Sequence, residues 1–128
     1  MNRVTKILVL DDEPVVGERL KASLERVGFA VDALSTSQEA VARLKEYHYD
    51  ILVTDLKMSG PNGMDVLRAA VAALPKIKTV VITGFATKDM AEEAARSGAV
   101  AFIAKPFKMS QLKELLLQLV AEDKDAAK

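Results

Sequence analysis

Five short apolar runs alternate with longer segments of helix length, and this alternation restricts the chain to few folds. The third run, Ile51–Val53, is hydrophobic and β-branched, which is typical of a strand buried on both faces of a sheet. Such strands, separated by helices, form a parallel sheet through right-handed crossovers. The sequence therefore predicts an α/β fold, a doubly wound five-stranded parallel sheet with helices on both faces. The predicted strands are Ile7–Leu10, Ala30–Leu34, Ile51–Val53, Thr79–Ile82 and Ala101–Ala104.

The segments between the runs carry apolar residues at three- and four-residue spacing, which predicts amphipathic helices. Pro14 suits the first turn of the first helix, and Gly28 suits its C-terminal stop. Thr36 and Glu39 have the spacing of a capping box at the start of the second helix. The fourth predicted helix, Lys88–Arg96, has few large apolar residues, so we expect it to be a movable element.

The 128 residues suit one domain with a single core, which we predict over residues 1–121, with 122–128 as a tail or a truncated linker. With 18 acidic and 18 basic residues, the chain has no net charge, which argues against direct nucleic acid binding by this domain and against binding to an acidic membrane surface. The absence of cysteine excludes disulfides, zinc thiolate sites and thiol catalysis. No apolar stretch approaches the roughly 18 residues of a membrane span, and the start does not resemble a signal peptide, so we expect a soluble, cytoplasmic domain.

Polar residues stand at the C-terminal ends of four predicted strands, and among them Asp55 most needs an explanation. A carboxylate at the end of a buried strand is costly to desolvate unless it has a partner or a function. The C-terminal ends of parallel strands lie on one edge of the sheet, where ligands bind. We therefore expect carboxylates, a hydroxyl and an ammonium to meet at that edge. The residues concerned are Asp11, Asp12, Glu13, Asp55, Thr83 and Lys105.

The chemistry open to this set is restricted. It contains neither histidine nor cysteine, so it does not suit a soft metal. Grouped carboxylates repel one another and need a cation to stay ionised together, and Mg2+ prefers hard oxygen ligands. An aspartate beside Mg2+ and a lysine could act as a nucleophile toward a phosphoryl group and form an acyl phosphate. Gly84, which has no side chain, would leave room for that group.

Taken singly, these residues also have ordinary structural explanations. Asp11 or Asp12 could cap the first helix, and Asp55 could be a turn residue. Lys105 could be an ordinary surface charge. It is improbable that all these explanations hold together at strand ends that share one edge. His48 lies in a connector at the other edge, where a solvated loop histidine is expected rather than a ligand.

Four stretches, ILVLDDE, ILVTDLKM, VVITGFA and FIAKPF, together resemble the receiver domain of a two-component response regulator. The resemblance covers nearly the whole chain, from Lys6 to Val120, and it implies a flavodoxin-like sheet with strand order 2-1-3-4-5. It also implies that Asp55 accepts phosphate from a sensor histidine kinase or a phosphotransfer protein. Such a domain is a signalling phosphoacceptor rather than an enzyme, although it supports its own phosphorylation and dephosphorylation.

The resemblance implies a role for each residue at the strand ends. Thr83 would donate a hydrogen bond to the phosphoryl group, and Lys105 would pair with that group. Phe102 would be the switch aromatic, and the Lys105–Pro106 peptide bond would be cis. The implied Mg2+ ligands are Asp11, Asp12, Asp55 and the backbone carbonyl of Lys57.

Phosphorylation adds a charge of about −1.5 to −2, toward which Thr83 and Lys105 would move. Phe102 could then turn inward behind Thr83 and reshape the face made by the fourth helix, the fifth strand and the last helix. That face would control an output domain or a downstream protein, and it could also form a homodimer. The stretches DLKM and TGFAT resemble receivers attached to ATP-dependent transcription activators.

The chain departs from the family pattern after the implied phosphoacceptor. A proline often follows the methionine that corresponds to Met58, whereas Ser59–Pro61 follows it here. Lys57 and Phe85 occupy positions that vary in the family and affect the lifetime of the phosphate. These departures leave the phosphate lifetime, the cognate kinase and the output open.

Three other functions compete with this interpretation. A haloacid-dehalogenase-like phosphatase also forms an aspartyl phosphate, but it requires a second aspartate two residues after the nucleophile, where this chain has Lys57. A flavodoxin-like flavin carrier shares the fold, but Asp11–Glu13 would repel a phosphate at the first loop, and the chain has no tryptophan to stack on a flavin. A pseudo-receiver that serves only as an interaction surface is disfavoured by the intact acidic set and Lys105.

Overall fold

Strands and helices alternate through the residues that this computed structural model describes, which are 4–56, 63–84 and 87–126. The strands are β1 (Lys6–Leu10), β2 (Ala30–Leu34), β3 (Ile51–Asp55), β4 (Lys78–Thr83) and β5 (Ala99–Ala104). The helices are α1 (Pro14–Glu25), α2 (Ser37–Glu46), α3 (Gly63–Ala73), α4 (Lys88–Arg96) and α5 (Met109–Ala126). None of the helices within these ranges is long and apolar enough to cross a membrane.

The strands lie in the order β2-β1-β3-β4-β5, and every neighbouring pair is parallel. The predicted doubly wound sheet is therefore confirmed, as is the flavodoxin-like order 2-1-3-4-5. The direction of winding reverses at β1 and β3, because the chain passes outward from β1 to β2 and then returns to the far side of β1. Ligands of such sheets bind at this reversal, outside the carboxyl ends of the strands.

Two layers of apolar side chains cover the faces of the sheet, and alternation along β1 divides its residues between them. Ile7 and Val9 belong to the layer that includes α1 and α5, whereas Leu8 and Leu10 belong to the layer that includes α2 and α3. All four side chains are almost completely buried. A third, smaller cluster packs between α3 and α4, and its buried members are Leu56, Met64, Leu67, Val81 and Ala94.

At their C-terminal ends, two strands extend further than their apolar patterns predict, which changes the setting of two candidate site residues. Asp55 is the last residue of β3 and pairs in register with Ile82, and Thr83 is the last residue of β4 and pairs with Ala104. Both backbones are therefore held by the sheet rather than by a loop. The apolar pattern stops where polar side chains begin, whereas the backbone hydrogen bonds continue because they do not depend on side-chain type.

The last helix also extends beyond its expected end. We expected the chain to fray from Ala121 onward, but α5 continues to Ala126. This part of the chain contains no glycine or proline, and its Glu, Lys and Ala residues are good helix formers, so it has no helix-stop signal. The boundary predicted between 1–121 and 122–128 thus falls within a helix, and the division of the chain there stays a prediction.

Candidate functional site

The carboxyl ends of β1, β3 and β5 bring three aspartates and a lysine together. Asp11 and Asp12 directly follow β1, Asp55 ends β3, and Lys105 directly follows β5. One carboxylate oxygen of each aspartate lies within 4.8 Å of those of the other two. Asp11 and Asp55 are buried whereas Asp12 is exposed, so the acidic cluster is open to solvent on the Asp12 side.

Lys105 is the cation that faces this acidic cluster. Its Nζ donates a hydrogen bond of 2.7 Å to Oδ2 of Asp55 and lies 3.6 Å from Oδ2 of Asp11. Burial alone would lower the pKa of Lys105, but the hydrogen bond and charge of Asp55, with the charges of Asp11 and Glu13, outweigh burial and raise that pKa. Lys105 is therefore a protonated, partly buried counter-ion for two acids.

Asp11 lies in an environment that opposes its ionisation. Burial raises the pKa of Asp11, and repulsion from Asp55 and Asp12 adds to this, while the Glu13 N–H and the charge of Lys105 act in the opposite direction. The Oδ1 atom of Asp11 accepts the Glu13 N–H at 2.9 Å, which orients the carboxylate. Neither Asp11 nor Asp12 caps α1, because the N-cap residue is Glu13 and its side chain makes no capping hydrogen bond.

The donor set fits a hard divalent cation. Three carboxylates converge and one ammonium faces them, which leaves an excess of negative charge for a cation to neutralise. All the donors are oxygen atoms, and the exposed side of Asp12 leaves access for water, both of which suit Mg2+. Within the described ranges, this is the one group of at least three acidic, histidine or cysteine side chains with such spacing.

Thr83 and Phe102 lie on neighbouring strands beside the acidic cluster. The Thr83 side chain is fully buried, and its backbone carbonyl accepts the Lys105 N–H at 2.8 Å, which links the ends of β4 and β5. Phe102 pairs in register with Val81 and packs, partly buried, against the small cluster that contains Val81 and Ala94. Because Val81 and Thr83 share one face of β4, Phe102 lies on the same side of the sheet as Thr83.

The remaining residues singled out from the sequence lie elsewhere. His48 stands at the amino end of β3, with its Nε2 atom 2.9 Å from Oδ1 of Asp50, and its side chain is mostly exposed. The Lys105–Pro106 peptide bond is cis. Some residues discussed above lie outside the described ranges, namely Lys57, Met58, Ser59–Pro61 and Phe85.

Sequence reasoning missed two contacts that the structure shows. Gly63, the first residue of α3, lies directly against the backbone of Asp55 and Leu56. A glycine at the start of an apolar helical run is the available signal, but it does not show which backbone the glycine touches. The second contact is the N-cap of α4, where the Thr87 side chain accepts the Met90 N–H at 3.1 Å. A threonine directly before a predicted helix is the signal for this cap.

A family model described as the response regulator receiver domain matches residues 7–117. The chain belongs to this receiver family. The chemotaxis protein CheY of Thermotoga maritima is 32% identical over 112 residues, which cover 87% of this chain and 93% of that protein. A solved response regulator receiver domain protein (CheY-like) from Methanospirillum hungatei JF-1 matches with a TM-score of 0.93 and 25% identity, covering 97% of this chain and 99% of that one.

Several relatives of this receiver are much longer than the chain. The C4-dicarboxylate transport transcriptional regulatory protein DctD of Rhizobium meliloti is 30% identical over 112 residues, which cover 88% of this chain but 24% of that protein. The chain spans roughly a quarter to a half of the length of the first curated relatives that it matches. The receiver domain is the part that these proteins share with it.

Proposed function

We propose that Asp55 of this receiver accepts a phosphoryl group from a sensor histidine kinase or a phosphotransfer protein. The observation that carries the proposal is the 2.7 Å hydrogen bond between Asp55 and Lys105 beside two further aspartates. When bound, Mg2+ would neutralise charge on the transferring phosphoryl group. The proposed Mg2+ ligands are the carboxylates of Asp11, Asp12 and Asp55 and the backbone carbonyl of Lys57.

In the proposed reaction, a carboxylate oxygen of Asp55 attacks phosphorus, the bond between phosphorus and the donor nitrogen breaks, and an acyl phosphate forms. The backbone of Asp55 is held by β4 through its pairing with Ile82, which keeps the nucleophile in place. The Lys105 ammonium already contacts this carboxylate, so it can pair with the new phosphoryl oxygens. Hydrolysis of the acyl phosphate would return the free carboxylate, so the domain would support both its phosphorylation and its dephosphorylation.

We propose further that phosphorylation alters the face made by α4, β5 and α5. The Thr83 hydroxyl would donate a hydrogen bond to a phosphoryl oxygen, and Phe102 would occupy the space behind Thr83. Thr83 and Phe102 lie on the same side of the sheet, which supports a coupling between them. The weak anchoring of α4, whose one buried side chain is Ala94, supports a change in this face. A change of the two-state population from 1:99 to 99:1 requires about 5.5 kcal/mol of differential stabilisation.

The proposed partners of this face are an output domain, a downstream protein or a second copy of the receiver. DctD is named a transcriptional regulatory protein, and the chain spans 24% of it. This likeness supports an output domain in a longer regulator as one of the partners. Val100 on β5 and Leu117 on α5 are about half exposed and offer apolar surface to a partner. The cytoplasm is the proposed location, and we propose no direct nucleic acid binding by a domain with zero net charge.

Labelling with acetyl phosphate in the presence of Mg2+ tests the phosphoacceptor. Intact mass spectrometry should show one labile phosphate on the parent protein and none on Asp55→Asn, because a neutral amide replaces the attacking carboxylate. Asp89→Asn is the matched control, since Asp89 is an exposed acid in the first turn of α4, and it should label like the parent. Undiminished labelling of Asp55→Asn would contradict the assignment.

Amide chemical shifts in α4 and β5, measured with and without a beryllium fluoride mimic of the phosphoryl group, test the switch. Thr83→Ala should bind the mimic but show smaller shifts, because the hydrogen bond that biases the two states is absent. Thr83→Ser keeps the hydroxyl and should restore the shifts. If Thr83→Ala shows the parent's shifts at matched occupancy, the coupling between Thr83 and Phe102 is wrong.

A further inference from the structure

The first turn of α3 rests on the end of β3 without an intervening side chain. The N–H of Gly63 donates to the carbonyl oxygen of Leu56 at 3.0 Å. A Cβ atom on Gly63 would lie 2.5 Å from Cα of Leu56 and 2.9 Å from the carbonyl carbon of Asp55, and it would overlap the Asp55 carbonyl oxygen. All of these neighbours are backbone atoms, so no side-chain rotation could relieve the overlap.

The helix side of this contact has little freedom to retreat. Met64, Val66, Leu67 and Ala70 of α3 are all buried, and they divide between two apolar clusters that anchor the helix. Retreat of α3 would open space around these side chains, and lost packing of buried apolar groups is destabilising. If this contact is forced apart, α3 therefore takes up only part of the displacement, and the end of β3 takes up the rest.

The strand side of the contact carries the phosphoacceptor. Leu56 is buried in the same small cluster as Met64, and Asp55 is held by its register with Ile82. The part of the displacement that α3 does not take up moves the Asp55–Leu56 peptide. The carboxylate of Asp55 would move with it, away from a position 2.7 Å from Nζ of Lys105.

We propose that Gly63 is a positioning residue for the phosphoacceptor. Its bare Cα lets α3 begin against the Asp55–Leu56 peptide, and this contact sets where the Asp55 carboxylate stands relative to Asp11 and Lys105. The inference rests on the proposed function, since it concerns how the same site is assembled. A misplacement of ~1 Å can lower a reaction rate about 100-fold.

Two other glycines of the chain provide matched controls. Gly17 is buried in α1, and a Cβ atom there would lie 3.6 Å from Cβ of Ala33, which is ordinary van der Waals contact. Gly98 has a φ of +114°, and a Cβ atom there would lie 2.8 Å from Cγ2 of Val71. Gly17→Ala thus tests a tolerated helical substitution, and Gly98→Ala tests a strained substitution away from the acidic cluster.

The experiment compares Gly63→Ala, Gly17→Ala and Gly98→Ala with the parent, well below each protein's melting temperature. The Mg2+ dissociation constant is measured without phosphodonor, from the amide shifts of residues 11–13, and the rate of labelling by acetyl phosphate is measured at saturating Mg2+. For Gly63→Ala we expect Mg2+ affinity to fall roughly tenfold and the labelling rate to fall about 10- to 100-fold. Gly98→Ala should lower the melting temperature yet keep the parent's Mg2+ affinity, and Gly17→Ala should keep the parent's affinity and rate.

Other outcomes would overturn either the positioning role of Gly63 or the proposed function. Parent-like affinity and rate in Gly63→Ala would overturn the positioning role while leaving the proposed function intact, and so would equal losses in Gly98→Ala. Trimethylamine N-oxide, which favours the folded state, is added to all samples if Gly63→Ala is unfolded in buffer. A variant that stays unfolded there would show that Gly63 acts in folding, which also overturns the inference. Failure of the parent itself to bind Mg2+ and accept phosphate would instead overturn the proposed function, and the inference with it.

Discussion

The Nζ atom of Lys105 lies 2.7 Å from Asp55 and 3.6 Å from Asp11, so one ammonium joins the ends of β1, β3 and β5. Both carboxylates are buried, and a third, that of Asp12, lies beside them. Removal of one partner from a buried charged group leaves the remaining charges uncompensated, which is destabilising. Loss of the Lys105 ammonium would also leave more negative charge for a metal ion to neutralise.

We expect Lys105→Met to lower the free energy of unfolding by about 1–3 kcal/mol in EDTA, because the acids lose their cation. Mg2+ should then raise the melting temperature of this variant more than that of the parent. Thermal denaturation with and without Mg2+ measures both effects. Lys108→Met removes a nearby exposed lysine and is the control. An equal response to Mg2+ in Lys105→Met and the parent would contradict the prediction.

When no metal is bound, the folded protein should be more stable with a neutral group at position 11 than with the Asp11 carboxylate. Folding raises the pKa of Asp11, chiefly through burial, so the stability that its protonated form contributes is lost as pH rises through that raised value. At pH 7 in EDTA, we expect Asp11→Asn to raise the free energy of unfolding by on the order of 1 kcal/mol. The asparagine oxygen can still accept the Glu13 N–H.

Urea denaturation of the parent and Asp11→Asn across a pH series measures this difference. The gain should shrink as pH falls through the raised pKa of Asp11, because the parent then carries a neutral acid as well. Asp12→Asn, at the exposed neighbouring position, should show a smaller gain. A less stable Asp11→Asn at pH 7 would show that its contact with Lys105 outweighs burial.

A second polar cluster joins α2, β2 and the segment before β3, away from the acidic cluster. The hydroxyl of Tyr49 donates to Oδ2 of Asp32 at 2.6 Å, and Nη1 of Arg43 lies 3.4 Å from the same oxygen. Burial and the hydrogen bond to Asp32 raise the pKa of Tyr49 to about 12, although Arg43 acts to lower it. The stability contributed by the neutral phenol is therefore complete below pH 10.0 and is lost as pH rises toward 12.

We expect Tyr49→Phe to lower the free energy of unfolding by about 1 kcal/mol at pH 7, because Asp32 loses a buried donor. The variant should also lose less stability than the parent between pH 10 and pH 12. Tyr47→Phe is the control, since Tyr47 is half exposed and its ring lies 5.2 Å from the Arg43 guanidinium carbon. Parallel pH curves for Tyr49→Phe and the parent would contradict the raised pKa.

Adjacent residues at the start of α2 should respond to alanine in opposite directions. The Thr36 side chain accepts the Glu39 N–H at 3.3 Å and donates to the Glu39 carboxylate at 3.0 Å, so Thr36→Ala should cost about 1 kcal/mol of stability. Ser37 is fully buried, and its hydroxyl has no hydrogen-bond partner, so Ser37→Ala should be neutral or stabilising by about 1 kcal/mol. Chemical denaturation at pH 7 measures both, and a clear loss of stability in Ser37→Ala would contradict this account.

The sheet and the place of the site follow from patterns that are local in the chain. Short aliphatic runs such as Ile51–Val53 identify buried strands, and the helices between them require parallel pairing. Parallel strands end on one edge, so the polar residue at each strand end, including Asp11 and Lys105, could be assigned to the same edge despite their distance in sequence. Such reasoning identifies neighbours without specifying contacts.

The contacts themselves depend on side chains and backbones that come from distant parts of the chain. The pairing of Lys105 with Asp55 joins residues 50 positions apart, and the cluster of Tyr49 with Asp32 joins residues 17 positions apart. The closeness of Gly63 to the Asp55 carbonyl arises from where α3 docks, and the continuation of β3 to Asp55 arises from hydrogen bonds with β4. Periodicity reports whether a residue faces the core. Distances of a few ångströms, and the pKa shifts that follow from them, are set by the packing of whole elements against one another.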